Sequence, residues 1–334
     1  MRILWSHISH YFIFTCIAAS SAYADGTSVP INYDALSFFE EPFASDIGGA
    51  TLSGNFLVDQ AIGYQFENEN QSNRTRLNGQ ARLETQLSNS WLVGVQYFGG
   101  YNHLSGDGNN DDAYNDNIAA FISDEWGTLA VGNVTGSVFE DHRLTRRVGN
   151  AVLAHNNFRG ALNELGAYYN VRYNSVLLSL TADAQGRAEA GVNFERPIGA
   201  ASHFVSARVR KGDIEENEAM TGSGDTYGAA VVYGYQYASF GIDGQVGYEN
   251  VSLDGSNDDI NHLFSSMGLY YNYGAYSFSL DGGLGEYDNK SFETAALGMR
   301  FDLARGASFN VGVNYSNANL VDTTTAIGSL RYEF

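Results

Sequence analysis

The chain has 334 residues, with 38 acidic against 18 basic side chains and a formal net charge of −20. Such a balance does not favour nucleic acid, because phosphate binding needs a basic surface. The single cysteine, Cys16, excludes a disulfide framework and, lying in the leader described next, removes cysteine-based zinc or thiol chemistry from the exported chain.

Residues 1–24 read as a secretory signal peptide: Arg2 near the start, an apolar run from Tyr11 to Ala19, and small residues ending in Ala22-Tyr23-Ala24. Cleavage after Ala24 makes Asp25 the first mature residue. The apolar run is too short for a membrane-spanning helix, and no later apolar stretch reaches about twenty residues, so nothing crosses a bilayer as a helix. Two classes remain, a soluble exported protein and a closed barrel. The 22 Tyr, 20 Phe and 38 Gly, with only 3 Pro, suit strands with one lipid face and one wet face.

Residues 25–49 do not follow a strand pattern. Leu36, Phe38, Phe39 and Phe43 stand beside Glu40 and Glu41. This segment reads either as a terminal extension or as a piece that docks inside or under a barrel and partly occludes it.

From residue 50 to 334 apolar and polar residues alternate with period two, segment after segment. About sixteen strands are expected, near 50–65, 73–87, 90–104, 116–124, 127–134, 165–173, 175–183, 188–196, 201–212, 225–237, 238–252, 262–273, 275–287, 291–303, 307–317 and 323–334. In the second of these, Leu77, Gly79, Ala81 and Leu83 share one face, and Arg74, Arg76, Asn78, Gln80, Arg82 and Glu84 the other. An even number of strands with a greasy and a charged face implies an all-β, transmembrane antiparallel β-barrel. In the last strand Ala326, Gly328, Leu330, Tyr332 and Phe334 face outward, and the strand closes on 50–65 so that no edge is left unpaired.

Connections alternate between short (88–90, 125–126, 174, 274, 304–306) and long (105–115, 135–164, 213–224, 253–261, 318–322), which orients the barrel with tight turns in the periplasm. The longest, 135–164, carries Arg143, Arg146, Arg147 and Arg159 with Glu140 and Asp141; connections of this length are usually functional or disordered. The oxygen-rich clusters Asp107, Asn109, Asp111, Asp112 and Asp254, Asn257, Asp258, Asp259 are weak calcium candidates, lacking the glycine and glutamate of an EF-hand.

The alternation assigns charges to the lumen: Arg74, Arg76, Arg82, Arg172, Arg208, Arg210 and Arg300, with Asp59, Glu84, Glu189, Glu195, Asp243 and Asp281. They do not face lipid, where an arginine at mid-depth costs about 2–4 kcal/mol. The sequence contains no nucleophile elbow, metal-ligand spacing or glycine-rich phosphate cradle, so no enzyme activity or cofactor is expected. His103, His142, His155, His203 and His262 are scattered.

Three stretches, in order along the chain, resemble the Gram-negative porins, a family of trimeric sixteen-stranded diffusion pores. Asn117 to Asn133, with Gly127-Thr128-Leu129 and Gly132-Asn133, is similar to the hairpin before the porin constriction loop. Thr226 to Tyr248 resembles mid-barrel strands, and the strand ending in Phe334 resembles the porin assembly signal. The chain departs from the family in lacking a PEFGG-like sequence in the long loop and in carrying 25–49.

The resemblance implies a cleaved exported chain in the outer membrane, inserted by the barrel assembly machinery through its last strand and assembled as a homotrimer. Gly54, Phe56, Val58, Leu330, Tyr332 and Phe334 are candidates for the subunit contact. It further implies that 135–164 is the third extracellular loop, folded into the lumen. Arg74, Arg76 and Arg82 would then form a basic wall facing Glu140 and Asp141 across the waist, where a transverse field sorts solutes by charge. Small hydrophilic solutes and ions would pass by diffusion. A substrate-specific channel and a plugged structural or adhesive barrel are the competing readings.

Overall fold

The computed structural model describes residues 43–106, 109–134, 138, 148–158, 162, 165–214, 223–254, 259–318 and 321–333. A short strand β1 (Phe43–Ile47) precedes sixteen longer ones: β2 (Ala50–Gln65), β3 (Asn70–Gln86), β4 (Leu92–Gly106), β5 (Asn109–Asp124), β6 (Gly127–Asn133), β7 (Leu165–Tyr173), β8 (Val176–Asp183) and β9 (Ala188–Ile198). The second half comprises β10 (Ala201–Ile214), β11 (Gly224–Tyr237), β12 (Phe240–Leu253), β13 (Asp259–Tyr273), β14 (Tyr276–Tyr287), β15 (Lys290–Ala304), β16 (Ala307–Ala318) and β17 (Val321–Glu333).

Each of β2 to β17 pairs antiparallel with the next, and β17 returns to β2 from Thr325↔Gln65 to Glu333↔Leu57. The sheet is therefore a closed sixteen-strand barrel, as expected, in which neighbouring strands satisfy one another's main-chain groups around the whole ring. Phe43–Ile47, expected to lie outside the strand pattern, forms β1 and pairs with the start of β2 from Phe43↔Gly54 to Ile47↔Ala50. β1 thus covers the part of the β2 edge that β17 does not reach. The turn between them is Gly48-Gly49, with φ of 60° and 91°; two successive left-handed residues make the tight hairpin that glycine adopts without a Cβ clash.

Alternation along each strand sets the two faces. In β12, Gly241, Asp243, Gln245, Gly247 and Glu249 are buried, while Phe240, Val246 and Tyr248 are exposed. The register carries this split from strand to strand: Arg208↔Ala230, Ala230↔Gly247 and Gly247↔Phe264 are all inward. The outer face is apolar, with Ile62, Leu180, Val209, Val231, Leu280, Leu297 and Leu330 exposed. At the end carrying the shortest turns it bears aromatic rings, including Trp126 stacked on Tyr169 and Tyr276 on Phe301. That is the placement amphipathic rings take at a membrane interface.

Two expected long connections are corrected. Residues 105–115 belong mostly to β4 and β5, which run on to Gly106 and resume at Asn109; polar residues here alternate across an extended hairpin. Likewise 318–322 is largely strand, since β16 ends at Ala318 and β17 starts at Val321. The connections β6–β7 and β10–β11 remain the longest, both at the end opposite the shortest turns.

Candidate functional site

Inside the barrel, residues 148–158 of the β6–β7 connection lie against the inner wall. Their backbone is held by side chains of five different strands. Val148 N donates to Ser279 Oγ (3.1 Å), Val152 N to Asn314 Oδ1 (2.7 Å) and Ala154 N to Thr294 Oγ1 (3.3 Å). The carbonyl of His155 accepts from His262 Nε2 (3.0 Å), and that of Asn156 from Gln245 Nε2 (3.3 Å). The buried Asn150 amide reaches the Asn310 carbonyl (3.2 Å) and Ser329 Oγ (3.1 Å), while Asn157 Oδ1 accepts from Arg208 (3.0 Å). An irregular segment buried this deeply needs such partners, because each unpaired main-chain group would cost about 1–3 kcal/mol.

Glycines on the wall make room for the segment. A Cβ at Gly298 would stand 1.9 Å from the Val148 carbonyl oxygen, and one at Gly312 would stand 2.2 Å from that of Asn150. Apolar contacts fix the rest. Phe158 packs with Ala230, Phe264 and Phe292; Ala151 and Leu153 pack with Ala296; at the start of the connection, Val134 and Val138 pack with Phe121, Ala130 and Tyr168. Beneath Phe158, Arg208 and Arg210 share Glu189 at 3.2 and 2.8 Å, with Arg208 centred 5.2 Å from the Phe158 ring. The side chain of Val152 is half exposed and turns from the wall toward the remaining lumen.

The segment's hydrogen bonds to the wall run from β10 to β17. Just past β17, on β2 and β3, the inner face is basic. Asp59, 0% exposed, accepts from Arg74 (3.1 Å) and from Arg331 of β17 (3.4 Å) through the same oxygen, and Arg331 also reaches Glu333 (3.6 Å). Arg76 lies opposite Asp59 in the register and is exposed. With the Asn78 amide turned to accept, its oxygen lies 3.0 and 2.9 Å from Arg76 Nε and Nη2. Arg82 pairs with Glu84 and lies 4.1 Å above the Phe121 ring.

The structure therefore brings Arg74 and Arg76 together with Arg331 and places Arg82 farther along β3. All thirteen charges assigned to the lumen fall on inward register positions. Glu140, Asp141, Arg143, Arg146, Arg147, Arg159 and Asp107 lie outside the described residues. Asn109 and Asp111 belong to β5, so the first proposed calcium cluster is part of a hairpin and not a free loop. Its Asp112 is already engaged, accepting from Tyr101 Oη (2.9 Å) and lying 2.6 Å from His103 Nδ1. Counted from the 125–126 turn, Asp112 lies beyond the roughly 9–11 residues a tilted strand needs to cross a membrane. The His103 hydrogen bond, and after it that of Tyr101, holds its carboxyl below the usual carboxylate range.

Sequence reading missed the wall groups that hold the segment: Gln245, His262, Ser279, Thr294, Asn310, Asn314 and Ser329. The available signal was the recurrence of short polar residues and glycine on inward positions of β12 to β17, where a freely hydrated lumen makes no such demand.

No family model matches the sequence, and no curated protein does. Solved structures match in fold. The in-vitro folded OmpT of Vibrio cholerae, an outer membrane protein in its trimer form, aligns with a TM-score of 0.64 at 10% identity, over 86% of this chain and all of that one. The anion-selective porin from Comamonas acidovorans gives 0.59 at 11% identity over 85% of this chain and all of that one. A variant of the Rh. blastica porin gives 0.51 at 17% identity, again over 85% and the whole of its chain. At these identities the shared property is the fold, and that fold is the outer-membrane porin barrel.

Proposed function

We propose that this chain is an outer-membrane porin, a water-filled pore through which small hydrophilic solutes and ions diffuse. The observation that carries this reading is the asymmetric lumen: a connection held along the β10 to β17 wall, facing a wall of β2 and β3 lined with arginine. A segment tied at so many points narrows the bore permanently, and fixed charges at a narrowing sort solutes by sign as well as size. In this reading Glu140, Asp141, Arg143, Arg146, Arg147 and Arg159, on the same connection, contribute to the constriction.

The reading includes export through the leader 1–24, insertion through the C-terminal strand, assembly as a homotrimer and no enzymatic activity. The trimer form of the Vibrio cholerae structure with this fold supports the assembly. Planar-bilayer recording on the purified full-length protein tests the function. Stepwise, ohmic conductance that does not saturate with solute supports a diffusion pore. Block by one class of solute at low concentration would identify a substrate-specific channel. Absence of conductance would overturn the pore and favour a plugged barrel; deleting 25–42 then asks whether the N-terminal segment is the plug.

A further inference from the structure

Among the arginines of the open wall, the partner of Arg76 differs in kind from the others. Arg74 and Arg331 divide the single carboxylate of Asp59, Arg331 also faces Glu333, and Arg82 has Glu84. Arg76 makes no ion pair among the described residues and is held by the neutral amide of Asn78. Among the described residues, Arg74, Arg76 and Arg331 against Asp59 and Glu333 leave one net positive charge, and of the three arginines Arg76 is the exposed one.

The geometry of the amide matters as much as its neutrality. With its amide turned, Asn78 occupies the Nε–Nη2 edge of the guanidinium, which fixes the plane of the group; among the described residues nothing pairs with the Nη1–Nη2 edge. That edge carries two parallel N–H donors matched to the two oxygens of a carboxylate. A spherical halide gains the charge but not the fork. One excess charge also suits a monoanion better than a dianion, since the second negative charge would meet Asp59 and Glu333 close by.

We propose that Arg76, oriented by Asn78, is the anion-docking position of the pore, and that it favours small monocarboxylates over halide and over dianions. The proposal rests on the pore reading above and names the solute class of that same wall.

The test is single-channel recording of the full-length protein, which scores only folded, inserted pores. The wild type is expected to reverse on the anion side in a potassium chloride gradient, and acetate added to chloride is expected to reduce the chloride current saturably, with succinate weaker. Arg76→Gln removes both properties. Arg76→Lys keeps the chloride preference and loses the acetate competition, because the charge survives and the fork does not. Asn78→Asp leaves the arginine in place but supplies a carboxylate beside it, and is expected to lower the anion preference as far as Arg76→Gln. Conducting channels in which Arg76→Gln and Asn78→Asp both leave the reversal potential and the acetate effect unchanged overturn the proposal, as does acetate competition that persists in Arg76→Gln. A wild type without conductance overturns the pore reading itself, a different failure from either of these.

Discussion

The two walls of the lumen are built from different materials. From β12 to β17 most of the inward residues that hold the segment are short polar groups or glycine, and Gln245, His262, Asn310 and Ser329 among them are buried. On β3 the inward face carries three long cations, Arg74, Arg76 and Arg82, and the Arg74 side chain keeps 30% of its surface. Short side chains let a main chain approach and replace water in its hydrogen bonds. Long charged ones hold their heads in water and keep a neighbour away. The contrast teaches that one wall is a seat for the connection and the other stays open to the lumen.

That division is open to direct attack. The largest effect is expected from Gly298→Leu combined with Gly312→Leu, since each new Cβ would strike a carbonyl oxygen of the segment at 1.9 or 2.2 Å. Overpacking costs about 1–3 kcal/mol per site when neighbours can yield; here backbone must move, so the segment should leave its seat. Single-channel conductance should rise and protease should cut within 148–158, while the barrel stays folded by infrared spectroscopy. Unchanged conductance in such a folded barrel would mean that the segment does not limit the bore.

Glu189→Gln comes next. It leaves Arg208 and Arg210 without their shared carboxylate in a nearly dry site, and breaking a buried pair in this way costs about 3–5 kcal/mol. A lowered denaturation midpoint checks it. Phe158→Ala removes a buried ring seated on Phe264 and Phe292 and should cost about 3–5 kcal/mol locally. It loosens one end of the segment, so open-channel noise should increase more than mean conductance.

Asn150→Ala withdraws the amide from the Asn310 carbonyl and Ser329 Oγ, a loss of about 1–3 kcal/mol. Because those bonds mark the edge of the seat next to Arg331, the predicted readout is a small conductance increase with unchanged ion preference. A change of preference without a change of conductance would blur the boundary between the two walls.

The smallest effect belongs to the rim. The Asp112 carboxyl is held below its ordinary range by His103, so its contribution is present above the ordinary carboxylate pKa and fades as pH falls through the lowered value. Asp112 is exposed, and solvent screens the interaction. Asp112→Asn should therefore leave conductance and melting at neutral pH unchanged and remove only a slight acid-side loss of hairpin protection in hydrogen exchange.

Much of this architecture was legible along the chain. Strands 50–65 and 165–173 match their sequence bounds to the residue, and period two alone puts Asp59, Arg74, Glu189 and Arg208 on the inside. Legibility failed where polarity was taken for a loop. Asn109 to Asp116 is as polar as a connection, yet it is strand, because a hairpin that projects past the membrane has no lipid face to keep apolar. It failed again at Phe43–Ile47, which is too short to show a period and owes its strand state to the uncovered edge of β2.

By itself the sequence determined which residues face in and which face out, because that pattern is written by the two-residue period of consecutive side chains and by the cost of a charge against lipid. Only the tertiary structure decided which inward residues the chain itself covers and which stay open to the lumen. Val148 and Asn150 find their partners 131 and 179 residues away, at Ser279 and Ser329, and no local pattern links such positions. Closure of the barrel brings them together, covers one wall with the chain's own backbone, and leaves Arg76 on the other facing the water.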